Sequence, residues 1–307
     1  MSFSSRVKEE LSEHVSSSRH CQIAETAALF CYSGRIIRGK GGETVLSIQT
    51  ENEQVIRKCF TLLKKSFSIE TDAHGKGSYS LEIRREEDVR KLLQMLKLLG
   101  PSGGITARTD VVNPLLIKNA CCRRAYLRGA YLASGSMSDP EKSYHLEFVC
   151  GTGEQARQLQ EVIHDFGIEA RTIIRKKHYV VYMKEGSGIV DLLNVIGAHV
   201  SLMNLENLRI VKEMRNSINR RVNCEAANIT KTVTASSKQI EDIVLIQKTL
   251  GLESLQENLR EMAEIRLEYP EATLKELGQY LNPPVGKSGV NHRLRKLSEI
   301  AEGIRDK

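Results

Sequence analysis

Apolar residues in the first two-thirds of the chain run through the same ordered series twice. A nearly unbroken apolar helical run at 24–32 ends at Ser33-Gly34, and a second at 125–133 ends at Ser134-Gly135, 101 positions later. After the first run, the segment ETVLSIQT carries Val45 and Ile48 in strand alternation, and Val55, Ile56, Phe60, Leu62 and Leu63 follow at helical spacing. Strands around 69–73 and 78–83 come next, then a helix through Val89, Leu92, Leu93, Leu96 and Leu99. After the second run the segment HLEFVC (145–150) takes the strand position, and Ala156, Leu159, Val162, Ile163 and Phe166 take the helical one. Strands at 168–174 and 179–183 and a helix through Val190, Leu193 and Ile196 complete the series. Each half therefore reads helix, hairpin, helix, hairpin, helix. This predicts an α+β domain over 21–203, with repeats at 21–100 and 119–198. The connector at 101–118 opens with the turn-forming run Gly100-Pro101-Ser102-Gly103-Gly104. Ala27, Ala28, Gly129, Ala130 and Ala133 are small enough to let the two apolar helices approach closely about a pseudo-twofold axis.

From residue 204 the pattern changes to helices alone, predicting an all-α domain over 204–307. Leu205, Leu208 and Val211 begin a helix that runs into a polar stretch at 216–231. There Arg220, Arg221 and Lys231 accompany Asn216, Asn219, Asn223 and Asn228, donors suited to phosphates or base edges. Ser236-Ser237 offers a new helix start for 240–250, closed by Gly251. A helix at 255–269 stops at Pro270, and Thr273 caps a short one bearing Leu274, Leu277 and Leu281. After Asn282-Pro283-Pro284-Val285-Gly286, Ser288 is the expected cap of a basic helix with Val290, Leu294 and Leu297 inward. Helix, break and basic helix over 273–298 form a helix-turn-helix pattern. Ser288, Asn291, His292 and Arg295 are oriented for base edges, and Lys287, Arg293 and Lys296 for phosphates.

Composition narrows the function classes. Hydrophobic residues at 40% and charged residues at 27% suit a globular chain, and no apolar run reaches the ~18 residues of a membrane helix. The polar start lacks the apolar centre of a secretory signal, which predicts a cytoplasmic protein with no membrane partner. The formal net charge is +7, and its distribution points to a polyanion. Lys118, Arg123, Arg124 and Arg128 are unopposed within 114–131, and Arg171, Arg175, Lys176, Lys177 and Lys184 face only Glu169 within 168–184. Lys287, Arg293, Arg295 and Lys296 are unopposed within 287–296, whereas 238–276 holds nine acids against five bases. Arg123, Arg124, Arg171, Arg175, Lys176 and Lys177 are thus secondary DNA-facing candidates. The seven cysteines are odd in number, scattered and without a CxxC pair, so they read as reduced thiols with no metal site; only the adjacent Cys121 and Cys122 suggest redox chemistry. No cofactor is expected.

The segment LRGAYLASG (127–135) resembles the LAGLIDADG motif of homing endonucleases, and 26–34 its weaker partner. In that family the penultimate motif acid holds divalent metal over the scissile phosphate. Here those positions are Ser33 and Ser134, whose neutral hydroxyls cannot supply the charge a hard cation requires. Asp139, the nearest spare acid, precedes Pro140 and has an ordinary turn role. With FSSRVKEEL (3–11) in an N-terminal helix at 1–20, NRRVNCEAANITK (219–231) and the terminal helices, the whole chain resembles the WhiA family of bacterial regulators. The resemblance implies a transcription factor or nucleoid-associated protein bound to double-stranded DNA and linked to sporulation, cell division or chromosome segregation. It implies a WhiB-like iron-sulfur co-regulator if the source is an actinobacterium. The rival readings are an active metal-dependent endonuclease, and a repeat domain that docks a partner.

Overall fold

The computed structural model describes every residue except Met1, Lys40, Gly41, Asp72, Lys76, Ser102, Ala107 and Lys307. Asp72 of the expected 69–73 strand, and Ser102 and Ala107 of the connector, thus lie outside the described residues. The chain divides into two compact units, Met1–Lys212 and Glu213–Lys307.

In the first unit, α1 (Phe3–Glu13) buries Phe3, Val7 and Leu11, one stripe at a spacing of four, in the core shared by both repeats. The first repeat follows as α2 (Arg19–Ser33), β1 (Gly34–Arg38), β2 (Thr44–Thr50), α3 (Glu53–Leu62), β3 (Ala73–His74), β4 (Tyr79–Ile83) and α4 (Glu86–Met95). The second comprises α5 (Ala120–Ser134), β5 (Gly135–Met137), β6 (Leu146–Cys150), α6 (Gly153–His164), β7 (Arg171–Arg175), β8 (His178–Met183) and α7 (Gly186–Ile196). The sheets are antiparallel with matching orders, β1-β2-β4-β3 and β5-β6-β8-β7. The molecule is therefore α+β, with two αββαββα repeats as the apolar spacing predicts.

The strand expected at 69–73 is displaced. The chain leaves α3 through a wide helical turn, Leu63–Phe67, and Ser68 takes φ 54°. Ile69 is a fully buried core anchor, and among the described residues the strand pairing starts at Ala73.

α2 and α5 cross at the centre of the unit. A Cβ on Gly129 would lie 2.6 Å from the Glu25 carbonyl oxygen and 2.9 Å from the Ala28 Cβ, so only glycine permits this approach. Gly34 and Gly135 are equally constrained where each motif helix turns into its strand, by Phe30 and Tyr131.

The second unit is all helical. The helix start expected at Ser236 does not exist: α8 (His199–Thr249) is continuous for 51 residues. The Ser236 hydroxyl donates to the Pro270 carbonyl instead of capping a helix. Ile243 and Ile246 of α8 join a core with Leu259, Met262 and Ala263 of α9 (Glu257–Glu268), Leu277 of α10 (Leu274–Tyr280), and Val290, Leu294, Leu297 and Ala301 of α11 (Lys287–Arg305).

Candidate nucleic-acid interface

α10 begins with a full capping box: Thr273 accepts from the Glu276 N–H, and the Glu276 carboxylate accepts from the Thr273 N–H at 2.8 Å. These bonds hold the Glu276 carboxyl below its ordinary range. Leaving α10, the chain folds back so that the Val285 N–H donates to the Gly278 carbonyl at 2.8 Å. A Cβ on Gly278 would stand 2.1 Å from the Val285 carbonyl oxygen, a backbone atom with no room to yield. α11 then starts at Lys287 with Gly286 as its N-cap, so Ser288 is a first-turn residue and not the expected cap.

Burial of Val290, Leu294 and Leu297 fixes the rotation of α11. Lys287, Ser288, Asn291, His292, Arg295 and Lys296 are all exposed, and four of the six lie within its first two turns. That grouping combines cations with amides and hydroxyls that can donate to and accept from base edges. Two basic residues that look unopposed along the chain have acids in space. Arg293, expected to face a phosphate, lies back on α9, 3.5 Å from Glu261 and donating to the Asn258 carbonyl. Arg295 pairs with Glu299 one turn later at 3.1 Å, but is exposed and free to exchange that partner.

The polar stretch is part of α8. Arg220, Arg221, Asn223, Asn228 and Lys231 are exposed, and the three cations form no ion pair among the described residues.

The secondary candidates are scattered in role. Arg123 is bound to Asp165 at 3.1 Å and to the carbonyls of Ile117 and Lys118, a structural brace for the start of α5. Arg124 lies over the Phe166 ring. Arg171, Lys176 and Lys177 are exposed on the β7–β8 hairpin, where both lysines take positive φ in the turn. Arg175 is paired with Glu147 of β6 at 2.8 Å, so this patch too is partly neutralised. Arg128, counted with the unopposed bases, is buried: its guanidinium straddles both Glu25 oxygens at 3.1 and 3.2 Å and donates to the Ile196 carbonyl. The other Glu25 partner is fully buried Lys58, at 3.1 Å. Burial lowers the Lys58 pKa, and the Glu25 charge opposes that shift.

At the ends of the motif helices, the Ser33 hydroxyl donates to the Leu29 carbonyl at 2.6 Å and Ser134 to Ala130 at 3.1 Å. Both hydroxyls are turned back onto their own helices. The Asp139 carboxylate accepts from the Glu141 N–H within its turn. Sequence spacing missed one group of donors: His20, Cys21, Cys121 and Cys122, whose ligand atoms all lie within 4.8 Å of one another. The cysteines are thus not all scattered, because the α2–α5 pairing closes the 101-residue gap.

Family models match along the chain: the WhiA N-terminal LAGLIDADG-like domain at residues 19–99, the WhiA LAGLIDADG-like domain at 123–215 and the WhiA C-terminal HTH domain at 218–301. "Probable cell division protein WhiA" of Lachnoclostridium phytofermentans is 54% identical, covering 99% of this chain and 100% of its own. The protein of that name from Clostridium acetobutylicum is 48% identical, covering 99% of each chain. The crystal structure of full-length DUF199/WhiA from "Thermatoga maritima" superposes with a TM-score of 0.59 at 26% identity, covering 98% of each chain.

Proposed function

This chain belongs to the WhiA family, and from that premise we propose that it is a sequence-directed, nucleoid-associated DNA-binding regulator of cell division whose paired repeats bind without cutting. The observation that carries the reading is the exposed group on α11, held at a fixed rotation by the buried Val290, Leu294 and Leu297. In this reading α11 enters the major groove, where Ser288, Asn291, His292 and Arg295 meet base edges and Lys287 and Lys296 hold phosphates. Arg293 braces α11 against α9. Arg220, Arg221 and Lys231 of α8 add phosphate contacts, with Asn223 and Asn228 beside them. The exposed Arg171, Lys176 and Lys177 offer a weaker charge on the repeats.

The test is binding of the full chain to its genomic sites and to random duplex across a salt series. Arg295→Ala should cost about 1–3 kcal/mol on the specific site and relax preference there. Lys296→Ala should weaken all sequences alike and flatten the salt dependence by about 0.9 in log–log slope, the contribution of one released counterion. Equal losses on specific and random DNA for both variants would refute the division of roles.

A further inference from the structure

His20 and Cys21 occupy the first turn of α2, and Cys121 and Cys122 the first turn of α5. Each position in one helix has its counterpart 101 residues away in the other, so the pseudo-twofold pairing brings two adjacent dipeptides face to face. The four ligand atoms lie within 4.8 Å of one another, and the Cys121 Sγ is 3.4 Å from the His20 Nε2. We propose that these residues form a Cys3His zinc site joining the N-terminal ends of the two motif helices, an assignment independent of the DNA-binding reading.

The chemistry of the donors supports this ion. Three thiolates and one imidazole are a soft, four-donor set, the composition of closed tetrahedral zinc sites. Bond lengths of ~2.3 Å to sulfur and ~2.0 Å to nitrogen place tetrahedral donors roughly 3.5–3.8 Å apart. The Cys121–His20 separation already meets that spacing, and the widest separation needs to contract by only about 1 Å.

The surroundings fit the charge. Three thiolates around Zn²⁺ leave one net negative charge. It would sit at the positive ends of two helices, neither of which carries an acid in its first turn. Cys21 and Cys122 are buried, whereas His20 and Cys121 are exposed and provide the entry path. Ligation releases three thiol protons to solvent, and the His20 Nε2 lone pair completes the donor set. With four protein donors, no coordination position remains for water or substrate, so the ion acts as a clamp on the helix pair.

The full chain, purified under reducing conditions after growth with added zinc, should contain one zinc per chain by mass spectrometry of the metal. Replacement with Co²⁺ should give the visible bands of tetrahedral cobalt together with thiolate-to-cobalt charge transfer. His20→Ala and Cys121→Ser alter exposed positions and so spare the core. Each should weaken zinc, measured against a chromophoric chelator, by more than the roughly 10- to 100-fold that loss of an outer hydrogen-bond partner costs. Cys224→Ser, at an exposed cysteine of the second unit, should leave stoichiometry unchanged. The proposal is overturned by a reduced, zinc-replete chain that holds no more metal than the Cys121→Ser variant. It is overturned equally by equal loss in Cys224→Ser, or by a disulfide among Cys21, Cys121 and Cys122 that persists under the reducing conditions.

Discussion

Glu25 is fully buried, and its carboxylate faces two buried cations, Arg128 across the helix pair and Lys58 from α3. Such a cluster owes little net stability to its own attraction, because three charged groups have left water, but removing its one anion orphans both cations. Glu25→Gln should therefore destabilise the first unit by about 3–5 kcal/mol. Lys58→Met should cost much less, since it removes a cation in excess and leaves Glu25 with Arg128. Urea unfolding of the two variants, followed by a probe in the first unit, checks the order; a larger loss in Lys58→Met would contradict it. None of this is visible along the chain, where Arg128 stands in a run of bases with no acid nearby. Its partner is supplied from 103 positions away, as Asp165 is supplied to Arg123.

At the scale of elements, the helix-turn-helix depends on a backbone-to-backbone approach. Gly278→Ala would set a Cβ against the Val285 carbonyl, and the turn must open to relieve it. We expect a loss of about 1–3 kcal/mol in the second unit, together with a fall in specific DNA affinity as α11 shifts. Thr273→Ala supplies the comparison: it removes a cap worth about 1 kcal/mol but leaves α11 in place, so specific affinity should hold. Parallel losses of affinity in both variants would disprove the turn's role. Periodicity made most elements legible, because burial of one face is written directly into spacing, as in Val290, Leu294 and Leu297. It misled where a side chain found a distant partner. Ser236 reads as a cap but bonds to Pro270, and Ser288 reads as a cap but follows Gly286 into the helix. Ile69 reads as strand and is consumed by the core.

For the whole molecule, the repeats present their motif ends as two serines whose hydroxyls serve their own helices. The full chain incubated with supercoiled DNA and Mg²⁺ or Mn²⁺ should leave the circle intact, since neutral hydroxyls do not hold hard cations over a phosphate. Nicking that disappears in a Ser134→Ala variant would reverse this conclusion. The four clustered donors were illegible in the linear order for a related reason: each dipeptide is unremarkable alone, and only the doubled fold joins them. The same doubling is broken at one place. The positions equivalent to Glu25, Lys58 and Arg128 in the opposite half are Tyr126, Gln158 and Ala27, the offset being 101 along the motif helices and 100 from the second strand of each repeat onward. If two chains exchanged halves so that like met like, a pair of first halves would offer each Glu25 an alanine where the guanidinium belongs. A pair of second halves would enclose two guanidinium groups with no anion. The buried charges therefore favour the pairing of unlike halves, since only that pairing gives the Arg128 guanidinium its anion.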